Sequence, residues 1–205
     1  MKILPQTVSP NGIFDYTQLS AALKGYANIP MKIKRMVDNG EIVRLKKGLY
    51  ILSSEYRQSP VNQMIIANLL DGPGYVSSDS ALSYYGMIPE TVKTVTSVSL
   101  KRSKLYKTPI GDFLYFRRVA NDFSIGIRQI DSEQGSFLIA NPEKALYDKA
   151  LNDARFDGAD IETYLFDDLR LEWTSKPNKK VLAALEECAR GKMKKLVSFM
   201  RRMGK

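Results

Sequence analysis

The sequence predicts an α+β protein: an N-terminal winged helix-turn-helix, then an α+β domain with a small, mainly antiparallel sheet and C-terminal helices. Two capped helical patterns, joined by a glycine-containing turn and followed by an apolar hairpin, predict the winged helix. Alternating β-branched runs predict strands between residues 92 and 139, and helical spacing returns after residue 141. A chain of 205 residues has room for two modest domains.

The polar segment from Ser53 to Pro60 predicts a boundary between a first domain, residues 1–56, and a second, residues 57–205. The net charge of +9 is unevenly distributed, and it changes sign near the same boundary. The net charge is +4 for residues 1–55, −3 for residues 56–175 and +8 for residues 176–205. Two basic regions around a slightly acidic middle indicate two surfaces for anionic partners, and a solvated charge bias is the alternative.

The first helix is predicted to begin after Asp15, a capping residue, and to end at Gly25. Asn28 is placed to cap the second helix, Pro30 lies in its first turn, and Gly40 stops it. The apolar side chains of this second helix share one face. The opposite face carries the side chains that we predict to enter the major groove of duplex DNA: Met31, Lys32, Arg35 and Asn39, with Lys34 on the flank.

A β-hairpin with a basic tip is predicted directly after this helix, from Glu41 to Leu52. Lys46 and Lys47 lie at the tip, where we expect them to hold the phosphate backbone beside the groove. The alternative is that the basic face is only the solvated side of an amphipathic helix. Because turn, helix and basic hairpin occur in this order, we favour DNA contact.

The middle of the chain predicts helices that flank a sheet. A helical stripe over residues 61–70 ends at Gly72-Pro73-Gly74, and a second helix runs from Ser80 to Tyr85. Four strands are expected at residues 92–100, 113–116, 125–128 and 135–139. The segment Asn141-Pro142 then begins another helix, which completes an α+β arrangement.

Three segments in this region read GPGYVSSDSALSYYGMIPE from Gly72, TSVSLKRSK from Thr96 and NPEKALYD from Asn141. In this order they resemble the AbiEi family, the antitoxins of type IV toxin–antitoxin systems, also called abortive-infection antitoxins. The segment RLKKGLYIL from Arg44 is similar to the wing of that family's winged helix. Together the resemblance spans about residues 12–150.

The resemblance implies a transcriptional autorepressor with a second role in phage defence. The winged helix would bind inverted repeats upstream of its own operon, and its DNA contacts would map to residues 31–39 and to Arg44, Lys46 and Lys47 of the wing. The second domain would counteract a nucleotidyltransferase toxin, without the need for stable contact. The rival hypothesis is an antitoxin that binds its toxin directly and uses the winged helix as a scaffold.

The C-terminal segment predicts helices from Asn178 to Met203 with a break at Gly191. Its basic face is a possible second nucleic-acid surface, and solvated charge is the alternative. A membrane-surface helix is a weaker alternative because the apolar face has fewer aromatic residues than such helices carry. RNA binding is a third function, disfavoured by the few aromatic residues in the basic regions. The predicted second surface consists of Lys194, Lys195, Arg201 and Arg202.

The composition disfavours enzymatic chemistry. The chain has no histidine and a single cysteine, Cys188, which excludes histidine-based triads, histidine metal sites and an internal disulfide. The acidic residues between Asp153 and Glu172 have no recognisable metal-loop spacing, and no phosphate-binding glycine loop is present. We expect no enzyme activity, no cofactor and no metal.

The hydropathy pattern favours a cytoplasmic location. The sequence has no apolar run of the roughly 20 residues that span a bilayer, and its N-terminus lacks the apolar run of a signal peptide. We therefore expect no membrane partner. The oligomeric state stays open.

Overall fold

The computed structural model describes residues 11–57, 59–173 and 176–203. The N-terminal unit consists of β1 (Ile13–Asp15), α1 (Tyr16–Ala22), α2 (Ile29–Asp38), β2 (Ile42–Lys46) and β3 (Leu49–Leu52), followed by a 3-10 turn at Ser54–Tyr56. The second domain consists of α3 (Gln63–Leu70), β4 (Gly74–Val76), α4 (Ser78–Tyr84), β5 (Thr94–Ser99), β6 (Lys104–Thr108), β7 (Gly111–Arg117), β8 (Ile127–Ser132), β9 (Gly135–Ala140), α5 (Pro142–Asn152), a π-helical turn at Thr163–Asp168, α6 (Lys179–Cys188) and α7 (Gly191–Met203).

Side-chain caps fix the beginnings of several helices. The Asp15 carboxylate accepts a hydrogen bond from the Gln18 N–H at 2.7 Å, and the Gln18 side chain accepts one from the Asp15 N–H at 2.9 Å. These two bonds form a capping box at the start of α1. The Asn28 side chain accepts from the Met31 N–H at 3.1 Å, which begins α2. Both predicted helix starts are confirmed.

The small N-terminal sheet has the strand order β1-β3-β2, and both of its pairings are antiparallel. All four residues of the central strand β3 are buried because both faces of the sheet are covered. One face packs on α1 and α2 through Phe14, Ile42, Tyr50 and Leu52. The other face joins the core of the second domain through Ile13, Leu45, Leu49 and Ile51. This arrangement is the predicted winged helix-turn-helix.

The larger sheet has six strands in the order β6-β7-β5-β4-β9-β8. Three of its five pairings are antiparallel, as the mainly antiparallel prediction requires, but the sheet has six strands instead of four, and the β5·β7 and β4·β9 pairings are parallel. Strand β4 was missed because it is three residues long and lies in the segment that predicts a turn. Strand β6 was missed because it is an exposed edge strand without an apolar alternation.

Helices cover the two faces of this sheet. Tyr115 on β7 donates a hydrogen bond to the Ala67 carbonyl of α3 at 2.5 Å, which places α3 on the face that adjoins the winged helix. On β5, Thr96 points to the opposite face and donates to the Ser77 carbonyl at 2.7 Å, before α4. Helix α5 lies on that face too, because Tyr75 of β4 donates to Asp148 of α5 at 3.1 Å.

The two C-terminal helices pack on α5 and complete the core. Gly191 adopts a φ of +51°, a conformation that separates α6 from α7 as predicted. Leu185 of α6 and Leu196 and Met200 of α7 are fully buried. Within the described residues, no helix combines the length and the apolar character that crossing a membrane requires.

A charged pair lies inside the core of the second domain. The Lys144 ammonium is 3.0 Å from the Asp148 carboxylate, and both side chains are almost completely inaccessible to solvent. Ser77 and Tyr75 donate hydrogen bonds to the same carboxylate, at 2.7 and 3.1 Å. Burial raises the pKa of Asp148, and the Lys144 charge opposes this shift. The family-like segment from Asn141 to Asp148 therefore supplies part of the core.

Candidate nucleic-acid interface

Helix α2 has one face in the core of the N-terminal unit and one in solvent. Ile33 and Met36 are buried, and Ile29 and Val37 pack beside them. This is the apolar face that helical spacing predicts. The polar face is therefore turned toward solvent. A single exposed α-helix of this kind fits into the major groove of B-DNA.

Three predicted contacts are exposed, and their side chains have no hydrogen-bond or ion-pair partner among the described residues: Met31, Lys34 and Arg35, with Met31 46% accessible. Asn39, the C-cap of α2, is exposed as well but has a partner. Among the described residues, no side chain forms a hydrogen bond or an ion pair with Lys34 or Arg35. The guanidinium of Arg35 can therefore present its planar fork of donors to an acceptor pair such as the O6 and N7 atoms of guanine. Met31 offers an apolar surface that fits a thymine methyl group.

The other two predicted contacts on α2 already have protein partners. The Lys32 ammonium lies 5.3 Å from the centroid of the Tyr26 ring, a cation–π contact that restrains the side chain. The Asn39 amide donates to the Glu41 carboxylate at 3.2 Å, so an adenine contact would have to replace this bond. The contact with Tyr26 is not among the predicted features, and the position of Tyr26 in the turn before α2 is the only signal for it in the sequence.

The wing is a short hairpin closed by Lys47 and Gly48. Gly48 adopts a φ of +81°, a conformation that favours glycine. Its carbonyl accepts a hydrogen bond from the Tyr16 N–H at 2.9 Å, which ties the wing to the start of α1. Arg44 and Lys47 are exposed, as a phosphate contact requires. The wing is therefore tied to α1, which shares one apolar core with α2.

Lys46 differs from its neighbour in the wing. Its ammonium donates to the carbonyl oxygens of Leu69 and Leu70 at 2.9 and 2.6 Å, so it caps the C-terminal end of α3. Burial, and then the nearby Lys101 charge, lower the pKa of Lys46. The sequence predicts a phosphate contact for Lys46. Because its donors are committed to α3, we leave it out of the proposed DNA surface.

The predicted second basic surface is far from α2 in the fold. Lys194, Lys195, Arg201 and Arg202 lie along the outer side of α7 and line a groove that α7 forms with α6. Helix α7 covers α5, on the sheet face opposite to α3 and the winged helix. The two basic regions of the sequence thus become two separate surfaces.

The fold defines a class, a winged helix-turn-helix unit joined to an α+β domain. A solved structure with a similar fold is the crystal structure of the RV2827C protein from Mycobacterium tuberculosis, with a TM-score of 0.61 and 15% sequence identity. The match covers 94% of this chain and 72% of that one. At this identity the likeness shows the fold alone. No family model and no curated protein matches the chain.

Proposed function

We propose that this protein is a cytoplasmic DNA-binding repressor of its own operon and the antitoxin of a type IV toxin–antitoxin system. The observation that supports DNA binding best is the outward face of α2, where the Arg35 guanidinium has no partner among the described residues. An unpaired, exposed guanidinium on a convex helix suits the edge of a guanine base. The resemblance to the AbiEi family supports the antitoxin role.

In the proposed complex, α2 lies in the major groove and the wing follows the adjacent backbone. Arg35 and Met31 face base edges, while Lys34 and Lys47 contact phosphates. Lys32 approaches the backbone from its position on the Tyr26 ring. Backbone contacts fix the register of the helix, and Arg35 supplies most of the sequence discrimination.

The family-like segments of the second domain do not identify a toxin-facing residue. Lys144 and Asp148 are buried in an ion pair, and Glu143 accepts a hydrogen bond from the Asn178 N–H at the start of α6 at 2.6 Å. These residues hold the domain together. We therefore assign antitoxin activity to the second domain without assigning it to particular side chains.

A gel shift on DNA from upstream of the gene tests the repressor role. We expect Arg35→Ala to weaken specific binding by about 1–3 kcal/mol and to leave binding to unrelated DNA nearly unchanged. Lys180→Ala is the control, because Lys180 is exposed on α6 of the second domain. Equal affinities of Arg35→Ala and the unsubstituted protein for the operator would show that α2 does not read bases.

Co-expression with the product of the adjacent gene tests the antitoxin role. If that gene encodes a nucleotidyltransferase toxin, we expect this protein to restore growth, and Arg35→Ala to restore it as well when both genes have an external promoter. A stable complex of the two proteins, purified without DNA, would favour the rival mechanism of direct neutralisation. Failure to restore growth would remove the antitoxin role but not the repressor role.

A further inference from the structure

A broad basic groove lies between α6, α7 and the loop at residues 158–161. Its volume is about 1150 Å³. Ile161, Leu182 and Pro177 form an apolar floor. Its rim carries six cationic side chains: Lys176, Lys179, Lys194, Lys195, Arg201 and Arg202.

Most of the positive charge of this groove is uncompensated. Glu186 is the one carboxylate among the described residues that line it, and Glu186 pairs with Arg201. Lys195 makes a weak contact of 3.4 Å with the Gly158 carbonyl. Among the described residues, no carboxylate pairs with Lys179 or Lys194. A polyanion would therefore gain several contacts here without first breaking ion pairs.

An aromatic pair lies beside the cationic rim. The ring centroids of Phe166 and Phe199 are 6.4 Å apart, and the Arg202 guanidinium lies 5.7 Å from the Phe199 centroid. Phe166 is 43% accessible, although phenylalanine side chains are usually buried in the core of a globular domain. Phe166 belongs to the π-helical turn and Phe199 to α7, so the fold brings together aromatic residues that are distant in the sequence.

We propose that this groove binds single-stranded nucleic acid at a site separate from the operator-binding surface. Exposed aromatic rings next to a row of cations match the way in which single strands are held, since unpaired bases stack on rings while phosphates follow the cations. The bases of a duplex are already stacked on one another and cannot use Phe166. An acidic peptide would use the cations but has no need of an exposed phenylalanine.

The position of the groove makes it independent of α2. Helix α3 and the winged helix lie on one face of the six-stranded sheet, while α5 and, outside it, α6 and α7 lie on the other. Helix and sheet layers are each about 10 Å thick. A duplex in contact with α2 therefore leaves the groove open.

Fluorescence anisotropy with the full-length protein tests this proposal. The probes are labelled oligo(U) and oligo(dT), each about 12 nucleotides long, the upper part of the range for one single-strand site. We expect Lys179→Glu and Lys194→Glu each to weaken binding at least about fivefold and to reduce the dependence on salt. Lys180→Glu is the matched control, because Lys180 is exposed on the same helix but does not line the groove.

Phe166→Leu tests stacking, because leucine keeps an apolar side chain but has no aromatic face. We expect this variant to lose roughly five- to hundredfold in affinity with an unchanged salt slope. A thermal melt of each variant confirms that it is folded. Tighter binding of oligo(U) than of oligo(dT) would assign the site to RNA, and equal binding would assign it to single strands in general.

Other outcomes would overturn the proposal. Undetectable binding at about 50 mM salt, or equal losses for Lys179→Glu and Lys180→Glu, would show that the groove is not a specific site. Polyglutamate that competes fully, together with an unaffected Phe166→Leu, would point to an acidic protein partner. Arg35→Ala should leave oligonucleotide binding intact. A loss in that variant would assign the binding to the winged helix instead.

Discussion

The N-terminal unit and the second domain use their charged side chains in different ways. On α2 and the wing, Arg35 and Lys47 extend into solvent without a protein partner among the described residues. In the second domain, Lys144 is enclosed with Asp148, and Asp122 is buried in an ion pair with Arg118. The charges on α2 and the wing are thus available to an external partner, whereas these two buried ion pairs hold the second domain together.

This contrast shows that the role of a charged residue depends on its burial and on its hydrogen-bond and ion-pair partners. Lys144 and Lys34 are both helical lysines, yet one is inaccessible and the other is exposed. Lys46 lies between the two extremes, because it belongs to the wing but bonds to α3 of the second domain. The following predictions test each side of the comparison.

The largest effect is expected from Lys144→Met, which leaves the Asp148 carboxylate buried without its counter-charge. We expect the free energy of unfolding, measured by urea denaturation, to fall by about 3–5 kcal/mol. The double variant Lys144→Met/Asp148→Asn should recover most of this loss, because the asparagine oxygen still accepts from Ser77. Lys180→Met, an exposed control, should change stability by less than about 0.5 kcal/mol. A similarly small loss for Lys144→Met would contradict a structural role for the pair.

Lys46→Met should affect stability more than DNA binding. The variant removes two hydrogen bonds to the carbonyls at the end of α3, and we expect a loss of about 1–2 kcal/mol in the free energy of unfolding. The salt dependence of operator binding should be unchanged. A flatter salt dependence with unchanged stability would return Lys46 to the DNA surface and remove it from the domain contact.

Acid should destabilise the protein partly through Asp153. Hydrogen bonds from Arg155 hold the pKa of Asp153 well below its usual value, and the Lys149 charge contributes. A depressed folded-state pKa stabilises the protein above the unfolded pKa of about 3.9, and this stability is lost as pH falls toward the folded value. Asp153→Asn should therefore show about 1 kcal/mol less acid destabilisation between neutral pH and about pH 3. Identical pH profiles for the two proteins would contradict this assignment.

The smallest effect is expected from Lys47→Ala. Loss of one phosphate contact should reduce the log–log salt slope of operator binding by about 0.9. Stability should not change, because the Lys47 side chain has no hydrogen bond or ion pair within the part of the chain that the structure describes. Lys24→Ala, exposed in the turn after α1, serves as a control for a general change in charge. An unchanged slope for Lys47→Ala would place the wing away from the backbone.

Local signals in the sequence predicted most of the N-terminal unit. Asp15 and Asn28 cap the two helices as expected, because a cap depends on residues only two or three positions away. The outward face of α2 was predicted for the same reason, since helical spacing determines it. The division into domains at residue 56 and the DNA contacts themselves stay predictions.

Features that depend on distant residues could not be predicted in this way. The partners of Lys46 belong to α3, and nothing in the wing sequence indicates them. The basic face of α7 was predicted, but the neighbouring Phe166 was not, because the fold alone brings it to Phe199. A shortage of aromatic residues in the basic segments disfavours RNA binding, but the fold adds Phe166 to Phe199, which lies within the C-terminal basic segment.

The shared packing of β3 has a practical consequence for dissecting the protein. A fragment ending near residue 56 would expose Leu45, Leu49 and Ile51 to solvent. We expect such a fragment to aggregate rather than to fold as an independent domain. Heat should consequently melt the whole chain in one calorimetric peak. A structural change in the second domain would then be transmitted to the N-terminal unit through packed side chains.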